Sequence, residues 1–340
     1  MEAIKNWLEL PEEQRIKYIN TIAIENGISA ETVEKDWWVT LVLRALFTSS
    51  FAEHISFKGG TSLSKCWNLI ERMSEDVDIA INREFLGFSG ELSKTQISDK
   101  LRRASCTFVR DSMQSELRKQ IINIGVHPSL FDIKVDITPI TTTDPEIIEI
   151  HYHSLLPSPT YVLNKVVVEV SGRSMNEPLE EVEINSIISK SIPNAKFADE
   201  LFLINAVSPK RTFFEKAFLL HEEFAKDTKD IRIERMSRHI YDLEKLMDTP
   251  IAQEALLNRE LYKTIIEHRR KFIGLKGFDY NTLMPQTISF VPPHEVIPYW
   301  KEDYSKMQST MIYGESLSFQ KLIERITELN ERFRKIDLTE

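Results

Sequence analysis

The first fifty residues have the apolar spacing of helices. One apolar stripe recurs every four residues, at Val33, Trp37, Leu41 and Ala45. This spacing places the stripe on one face of a helix near residues 30–47. The apolar stretch at 37–47 contains Arg44 and is too short to cross a bilayer. We therefore expect an N-terminal helical segment over residues 1–50 and no membrane span.

From about residue 51 to 190 the pattern changes to short apolar or alternating runs, which are typical of strands. These runs lie at 54–60, 77–81, 131–137, 161–170 and 182–188. Residues 61–73 instead carry a helical stripe, for which Thr61 or Ser62 is the expected N-cap. Strands mixed with a helix predict an α+β protein whose mixed-sheet core spans residues 51–190.

After about residue 190 the spacing is again helical. Pro209 directly follows Ser208, a combination of N-cap and first helical residue that favours a helix start. Further helices are expected near 231–247 and 316–335, with a proline-rich loop over 277–298. The sequence thus predicts a C-terminal helical domain over residues 191–340.

Composition excludes several classes of protein. The chain has 340 residues and a formal net charge of −9, which is unlike a general nucleic-acid coat. No Gly-x-Gly and no Gly-Lys occurs, so the dinucleotide fingerprint and the P-loop are absent. Two cysteines are too few for a Cys-rich zinc site. The N-terminus lacks the apolar region of a signal peptide, so a cytoplasmic protein is expected.

The only Gly-Gly doublet stands between an expected strand and an expected helix, in the segment Lys58-Gly59-Gly60-Thr61-Ser62. Glycine lets a ligand approach the backbone, and a helix start presents free N–H groups to phosphate. The two hydroxyls would add donors. The doublet therefore predicts a phosphate-binding turn, with an ordinary tight turn as the alternative.

Paired carboxylates follow on the next expected strand, in Ser74-Glu75-Asp76-Val77-Asp78-Ile79. Residues two apart on a strand point to the same face, so Asp76 and Asp78 would lie side by side. Such carboxylates repel each other unless a cation lies between them, and hard oxygen ligands suit Mg²⁺ or Mn²⁺. A solvated acidic turn is the alternative.

A third carboxylate is expected from the strand at 131–137. Asp132 and Asp136 share one face of it by parity, and Asp136 is preferred because Val135 and Ile137 flank it. Gly-Gly-Thr-Ser, an Asp-x-Asp strand and a third acid together form the pattern of a nucleotidyltransferase. In that chemistry, metal ions held by acids orient a triphosphate and activate an acceptor hydroxyl.

The sequence resembles the AbiEii/AbiGii toxins, which are polymerase-β-like nucleotidyltransferases of abortive-infection and toxin–antitoxin systems. The resemblance lies in seven blocks that cover nearly the whole chain: Glu34-Lys35-Asp36-Trp37-Trp38, Lys58 to Lys65, Arg72 to Ile79, Arg211 to Lys216 with Leu219 to Glu223, Arg235 to Leu243, Asp303-Tyr304 and Met311 to Gly314. It implies a polymerase-β-like core.

The resemblance also implies roles for individual residues. The expected catalytic residues are Asp76, Asp78, Asp136, Lys216 and Asp242, of which the first three would bind metal. The expected nucleotide-binding residues are Lys58, Gly59, Gly60, Thr61, Ser62, Ser74 and Lys216. From the sequence alone, a solvated lysine and a surface ion pair of Asp242 with Arg238 or Lys245 remain as alternatives.

The expected function is Mg²⁺-dependent transfer of a nucleoside monophosphate from an NTP to RNA, with the tRNA 3′ end as the expected acceptor, which would block translation and growth. An antitoxin encoded nearby is the implied partner. In residues 94–119 and 263–276, Lys and Arg outnumber the acids, as expected of a surface that binds the phosphates of RNA. Solvated helix faces explain this excess equally well. The alternatives are a protein-hydroxyl or small-molecule acceptor, and a non-catalytic nucleotide-binding module.

Overall fold

The computed structural model describes residues 2–74, 76–135, 145–157, 163–175 and 177–338. The chain divides into two compact units. The first unit comprises Met1–Cys66 and Met73–Val207, and the second comprises Trp67–Arg72 and Ser208–Glu340. In the part of the chain that is described, we find no helix long and apolar enough to cross a membrane.

Seven strands of the described residues form one mixed sheet in the first unit. They are β1 (Ile55–Lys58), β2 (Asp76–Ile81), β3 (Phe131–Val135), β4 (Glu146–Tyr152), β5 (Lys165–Ser171), β6 (Leu179–Ile184) and β7 (Phe202–Val207). Their order is β3-β4-β5-β2-β1-β7-β6. Strand β2 is central: it pairs in parallel with β5 and antiparallel with β1.

The first unit also holds several helices. They are α1 (Glu2–Glu9), α2 (Glu12–Asn26), α3 (Ala30–Phe47), α4 (Gly59–Lys65), α5 (Arg102–Phe108), α6 (Gln114–Ile124) and α7 (Ile187–Ser191). Short π-helical turns at Gln96–Leu101 and Val109–Met113 make residues 96–124 one helical stretch. The core of the unit joins α3 to one face of the sheet, where Val77 and Ile79 of β2 are fully buried.

The second unit is helical. Its helices are α8 (Pro209–Phe224), α9 (Ser237–Leu246), α10 (Pro250–Leu257), α11 (Arg259–His268), α12 (Ile297–Thr310) and α13 (Phe319–Arg334). Aromatic rings fill its core: Phe214 packs edge to face on both Tyr262 and Phe333. Such pairs stabilise a core by about 0.5–1.5 kcal/mol beyond the area that they bury.

The α+β class is confirmed by this arrangement, as are the helices at α3, α8 and α13 and the strands β1 and β2. The sequence pattern does not predict strands β4 and β7. The latter lies beyond residue 190, so the sheet extends past the predicted end of the core.

The prediction of a helix over 61–73 is wrong in extent. Helix α4 begins at Gly59 and ends at Lys65, and Asn68 has a left-handed φ of 50°, which a continuing helix does not allow. Thr61 and Ser62 lie inside the helix rather than at its N-cap, which is Lys58 in an extended conformation. The apolar stripe predicted too long a helix because Ile70 and Met73, which complete the stripe, are buried in a segment that is not helical.

Candidate active site

The Gly-Gly turn lies directly against the acidic strand. Gly59 has a left-handed φ of 81°, which favours glycine. A Cβ at this position would lie only 1.9 Å from Oδ2 of Asp78. Because no side chain fits between them, Gly59 allows the Asp78 carboxylate to rest on the backbone of the turn.

Hydroxyl groups hold the turn in place. The Thr61 hydroxyl is 2.5 Å from the carbonyl oxygen of Asp76 and 2.7 Å from Oγ of Ser74. The Ser62 hydroxyl donates to the carbonyl oxygen of Gly59 at 2.8 Å. Both Thr61 and Ser62 are buried. The Thr61 hydroxyl therefore fastens α4 to the start of β2, and the Ser62 hydroxyl fastens the first turn of α4 to Gly59. A role of either hydroxyl in binding phosphate stays a prediction.

Asp76 and Asp78 project from the same face of β2, as the alternation predicts. Both are half-buried, whereas Val77 between them faces the core. The neighbouring strands place further charged residues on this face. In the register of the sheet, Asp78 lies opposite Lys58 of β1 on one side and opposite Glu169 of β5 on the other. Lys58, Asp78 and Glu169 thus form a row across three adjacent strands.

Glu169 is a candidate that the sequence interpretation missed. It is in register with Asp78 on the neighbouring strand, one inter-strand spacing of about 4.8 Å away. Its signal in the sequence is a single acid inside the valine-rich run Val166-Val167-Val168-Glu169-Val170. An acid in such a run is expected to lie on the face opposite the core.

Asp132 does not join this row. It lies on the edge strand β3, which is separated from β2 by β4 and β5, and its side chain is exposed and ion-paired with Arg118 at 3.0 Å. Asp136 lies outside the described residues. Within the described ranges, no three His, Cys, Asp or Glu side chains are grouped closely enough to hold a metal ion.

A second cluster lies entirely within the second unit. Asp242 of α9 accepts two hydrogen bonds from Arg72, from Nε to Oδ1 and from Nη2 to Oδ2, each 2.7 Å long. Nζ of Lys216, on α8, is 2.7 Å from Oδ2 of the same carboxylate. The exposed fractions are 0% for Asp242, 2% for Arg72 and 7% for Lys216. The structure thus excludes both a solvated Lys216 and a surface ion pair of Asp242.

The charges in this cluster determine its pKa values. Burial would raise the pKa of Asp242, but Arg72 and Lys216 outweigh that effect and hold the pKa below its usual value. Burial lowers the pKa of Lys216, and the positive charge of Arg72 adds to the lowering while Asp242 opposes it. Two buried cations therefore share one carboxylate, and the cluster carries net positive charge.

Two of the later sequence blocks build this cluster. Asp303 accepts hydrogen bonds from the backbone N–H groups of Arg235 and Ser237, so it caps the helix that carries Asp242. Arg72 forms an isolated antiparallel bridge with Ile312. Arg72 itself was not singled out from the sequence, although its block was. A basic residue next to the apolar Ile70 and Met73 is the signal that could have identified it.

We expect Gly59→Ala to weaken nucleotide binding and to lower the free energy of unfolding by about 1–3 kcal/mol, because it combines a strained φ with a clash against Asp78. Gly87→Ala is the matched control: Gly87 has a φ of 86°, and a Cβ added there would meet only open space. Calorimetric NTP titration and thermal melting of both variants provide the measurement. Equal effects of the two substitutions would show that the contact with Asp78 is unimportant.

Protonation of Asp242 at low pH should remove the stabilisation that the ion pairs of Asp242 give to the second unit. Because the pKa of Asp242 is depressed in the folded state, its stabilisation is complete above the unfolded carboxyl pKa of about 3.9 and is lost as the pH falls towards the folded value. The melting-temperature difference between the native protein and Asp242→Asn should be constant from neutral pH to about pH 5 and shrink below about pH 4. A difference that already shrinks between pH 7 and 5 would contradict this assignment.

Comparison with known proteins finds a matching family model and several similar solved structures. The family model described as the nucleotidyl transferase AbiEii toxin of type IV toxin–antitoxin systems matches residues 41–325. Similar solved structures include the nucleotidyltransferase toxin MenT4 from Mycobacterium tuberculosis, at 15% identity and a TM-score of 0.49 over 94% of this chain and 90% of that one. JHP933 from Helicobacter pylori is similar at 11% identity and a TM-score of 0.44, over 90% and 93%. No curated protein sequence matches. Because the family model covers most of the chain, this protein belongs to the AbiEii family of nucleotidyltransferase toxins.

Proposed function

We propose that this protein transfers a nucleoside monophosphate from an NTP to the 3′ end of a tRNA in a reaction that requires Mg²⁺. The observation that carries the proposal is the contact between the Gly59 turn and the Asp78 carboxylate. The turn that the family resemblance assigns to phosphate then lies beside acids that can bind the metal of a metal–nucleotide complex. This combination is what transfer at the α-phosphate requires.

The donor set fits a divalent cation. Asp76 and Asp78 offer carboxylate oxygens from one face of β2, and hard oxygen ligands suit Mg²⁺ or Mn²⁺. Asp136 stays the proposed third ligand; Glu169 is in register with Asp78, but its carboxylate is not grouped with both aspartates closely enough to hold a metal, so it would have to move to become the alternative. When bound, the metal would neutralise phosphate charge and lower the pKa of the acceptor hydroxyl.

The residues of the protein contribute binding and orientation. Gly59 lets the Asp78 carboxylate lie directly against the turn, and Thr61 ties that turn to Asp76 of β2 and to Ser74 just before it. Lys58, in register with Asp78, supplies a positive charge on the same face of the sheet. A turn that is already ordered loses little entropy when a triphosphate binds.

The second unit supplies a separate group of cations suited to phosphate. Burial lowers the pKa of His239 well below its usual value, and the positive charges of Lys216, Arg238 and Arg72 lower it further. Arg72 and Lys216 both contact the one carboxylate of Asp242, so cations outnumber acids in this cluster. We propose that Lys216, which the family resemblance assigns to the triphosphate, stabilises the departing pyrophosphate, with Asp242 as the residue that positions its ammonium group.

The RNA acceptor is inferred from the family resemblance. The basic stretches give it little additional support, because many of their side chains are already in ion pairs. Arg103 pairs with Asp99, Arg110 with Glu146, Arg118 with Asp132, and Arg269 with Glu222. The proposal therefore depends on a direct test of the acceptor.

The test incubates the protein with each α-phosphate-labelled NTP, Mg²⁺ and total RNA, and then separates RNA from protein on a denaturing gel. We expect label in the tRNA band. Periodate-oxidised RNA is the control, because it has no free 3′-hydroxyl and should remain unlabelled. Label in protein would instead identify a protein hydroxyl as acceptor, and bound nucleotide without transfer would identify a binding module.

Growth provides the cellular test. We propose that transfer to tRNA blocks translation in the cytoplasm, and that an antitoxin encoded nearby relieves the block, as type IV toxin–antitoxin systems imply. Induction of the native chain should arrest growth, and co-expression of the neighbouring gene should restore it. Arrest by a variant without transferase activity would overturn this part of the proposal.

A further inference from the structure

One acid of the N-terminal helical segment reaches α4. Asp36, on α3, uses both carboxylate oxygens: Oδ1 accepts a hydrogen bond from Nζ of Lys65 at 2.5 Å, and Oδ2 accepts one from the backbone N–H of Ile187 at 2.6 Å. Lys65 is the last residue of the helix that begins with the Gly-Gly turn. Asp36 therefore connects α3, α4 and α7 through a single side chain.

The ion pair lies away from solvent. The side chains of Lys65 and Asp36 are 5% and 14% exposed. In the described part of the chain, the only ion pair of Lys65 is the one with Asp36. A buried ion pair adds little net stability relative to apolar residues, but breaking one side of it leaves an uncompensated buried charge. The pair is therefore better explained by the geometry that it enforces than by the stability that it adds.

Helix α4 depends on such external contacts. It has seven residues, fewer than an isolated helix needs to be stable in water. Its first turn is fixed to β2 by Thr61, and Leu63 is fully buried at its centre. The Asp36–Lys65 pair fixes the last turn. With both ends held, the axis of α4 and the backbone of Gly59 have one orientation.

We propose that Asp36 is a positioning residue for the nucleotide: by holding Lys65, it keeps the Gly59 turn in the orientation that phosphate binding needs. This inference rests on the proposed function, because it assumes that the turn binds phosphate. Asp36 need not touch the substrate. A small displacement of a binding group, on the order of 1 Å, can reduce activity about 100-fold.

The test compares Asp36→Asn with Asp199→Asn. Asp199 also joins α3 to α7, since it pairs with Arg44 of α3 and accepts a hydrogen bond from Ser186, the N-cap of α7, but none of these contacts reaches α4. Each variant is measured for its NTP dissociation constant, melting temperature and amide hydrogen exchange over residues 59–66. Lys65→Met and the double variant Asp36→Asn/Lys65→Met complete a thermodynamic cycle.

We expect Asp36→Asn to weaken NTP binding roughly 10- to 100-fold and to speed exchange over residues 59–66, whereas Asp199→Asn lowers the melting temperature without either effect. The double variant should bind no worse than the weaker single variant, because both act through one contact. Unchanged NTP affinity and exchange in Asp36→Asn, or losses that multiply in the double variant, would overturn the inference.

The exchange measurement separates this inference from the proposed function. If the native protein binds none of the four NTPs, the proposed function fails, and exchange alone decides whether Asp36 holds α4. Faster exchange over residues 59–66 in Asp36→Asn, but not in Asp199→Asn, would then still support the contact as the one that orders the turn. Unchanged exchange would overturn it.

Discussion

Replacing Asp78 by Asn should reduce nucleotidyl transfer by at least about 10²–10³-fold while leaving the protein folded. Asn keeps the shape of the side chain that rests on Gly59 but removes the negative charge that a metal–nucleotide complex requires. Because Asn matches Asp in size and Asp78 lies on the face of β2 opposite the core, the melting temperature should stay close to that of the native protein. Transfer of label from an NTP and thermal melting measure the two effects.

Asp132→Asn is the matched control for this substitution. Asp132 is an exposed acid of the same sheet, on the edge strand β3, and its loss removes only a surface ion pair with Arg118. Surface pairs of this kind contribute about 0–1 kcal/mol, so activity and stability should both remain near those of the native protein. An Asp78→Asn variant that transfers as fast as Asp132→Asn would disprove the metal site.

Glu169→Gln distinguishes between the candidates for the third ligand. If Glu169 completes the site, its loss should approach that of Asp78→Asn. A loss of less than about tenfold would point to an acid outside the described residues, such as Asp136. Because Glu169 lies beside Asp78 in the register of the sheet, the size of the loss also measures how strongly a negative charge on β5 affects the reaction.

Local sequence rules predicted the pair of acids on β2 and the turn beside it. The alternation of Asp76-Val77-Asp78-Ile79 requires the two acids to share a face once β2 is buried on the other, and the structure has this arrangement. The Gly-Gly doublet likewise marked the turn between β1 and α4. Both signals depend on neighbours within a few residues, and that is the range over which periodicity is informative.

Features that depend on pairing between distant segments could not be predicted in this way. Glu169 lies beside Asp78 only because β5 is parallel to β2 and in a particular register, which periodicity does not specify. The burial of Lys216 likewise depends on Asp242 and Arg72, which are 26 and 144 residues away along the chain. A helical lysine without such partners is usually solvated, and the sequence around Lys216 does not show that it has them.

The family resemblance identified residues for which the structure now gives a physical role. Asp303 caps α9, and Asp36 pairs with Lys65. Glu34, two residues before Asp36 on α3, accepts hydrogen bonds from Ser154 and from the backbone N–H of Leu155. Each of these three acids thus holds together elements of its own unit.

Removing the negative charge from the second cluster should have the largest effect on stability. In Asp242→Asn, Arg72 and Lys216 remain buried without the carboxylate that both contact, and breaking a buried ion pair in this way costs about 3–5 kcal/mol. Chemical denaturation, together with hydrogen exchange of α8 and α9, measures the loss. An Asp242→Asn variant as stable as the native protein would contradict the description of the cluster as a shared ion pair.

Lys216→Met should reduce activity strongly and stability little, whereas Asp242→Asn is expected to reduce stability strongly. It removes one of two cations and leaves the two-pronged Arg72–Asp242 pair intact, so the free energy of unfolding should change by no more than about 1 kcal/mol. Transfer should nevertheless fall roughly 10²–10³-fold, because a charge expected to act on the departing pyrophosphate is lost. Lys216→Arg should recover only part of the rate, since the guanidinium fork cannot occupy the position of the compact ammonium. Normal turnover in Lys216→Met, measured beside its unfolding curve, would restrict the cluster to a structural role.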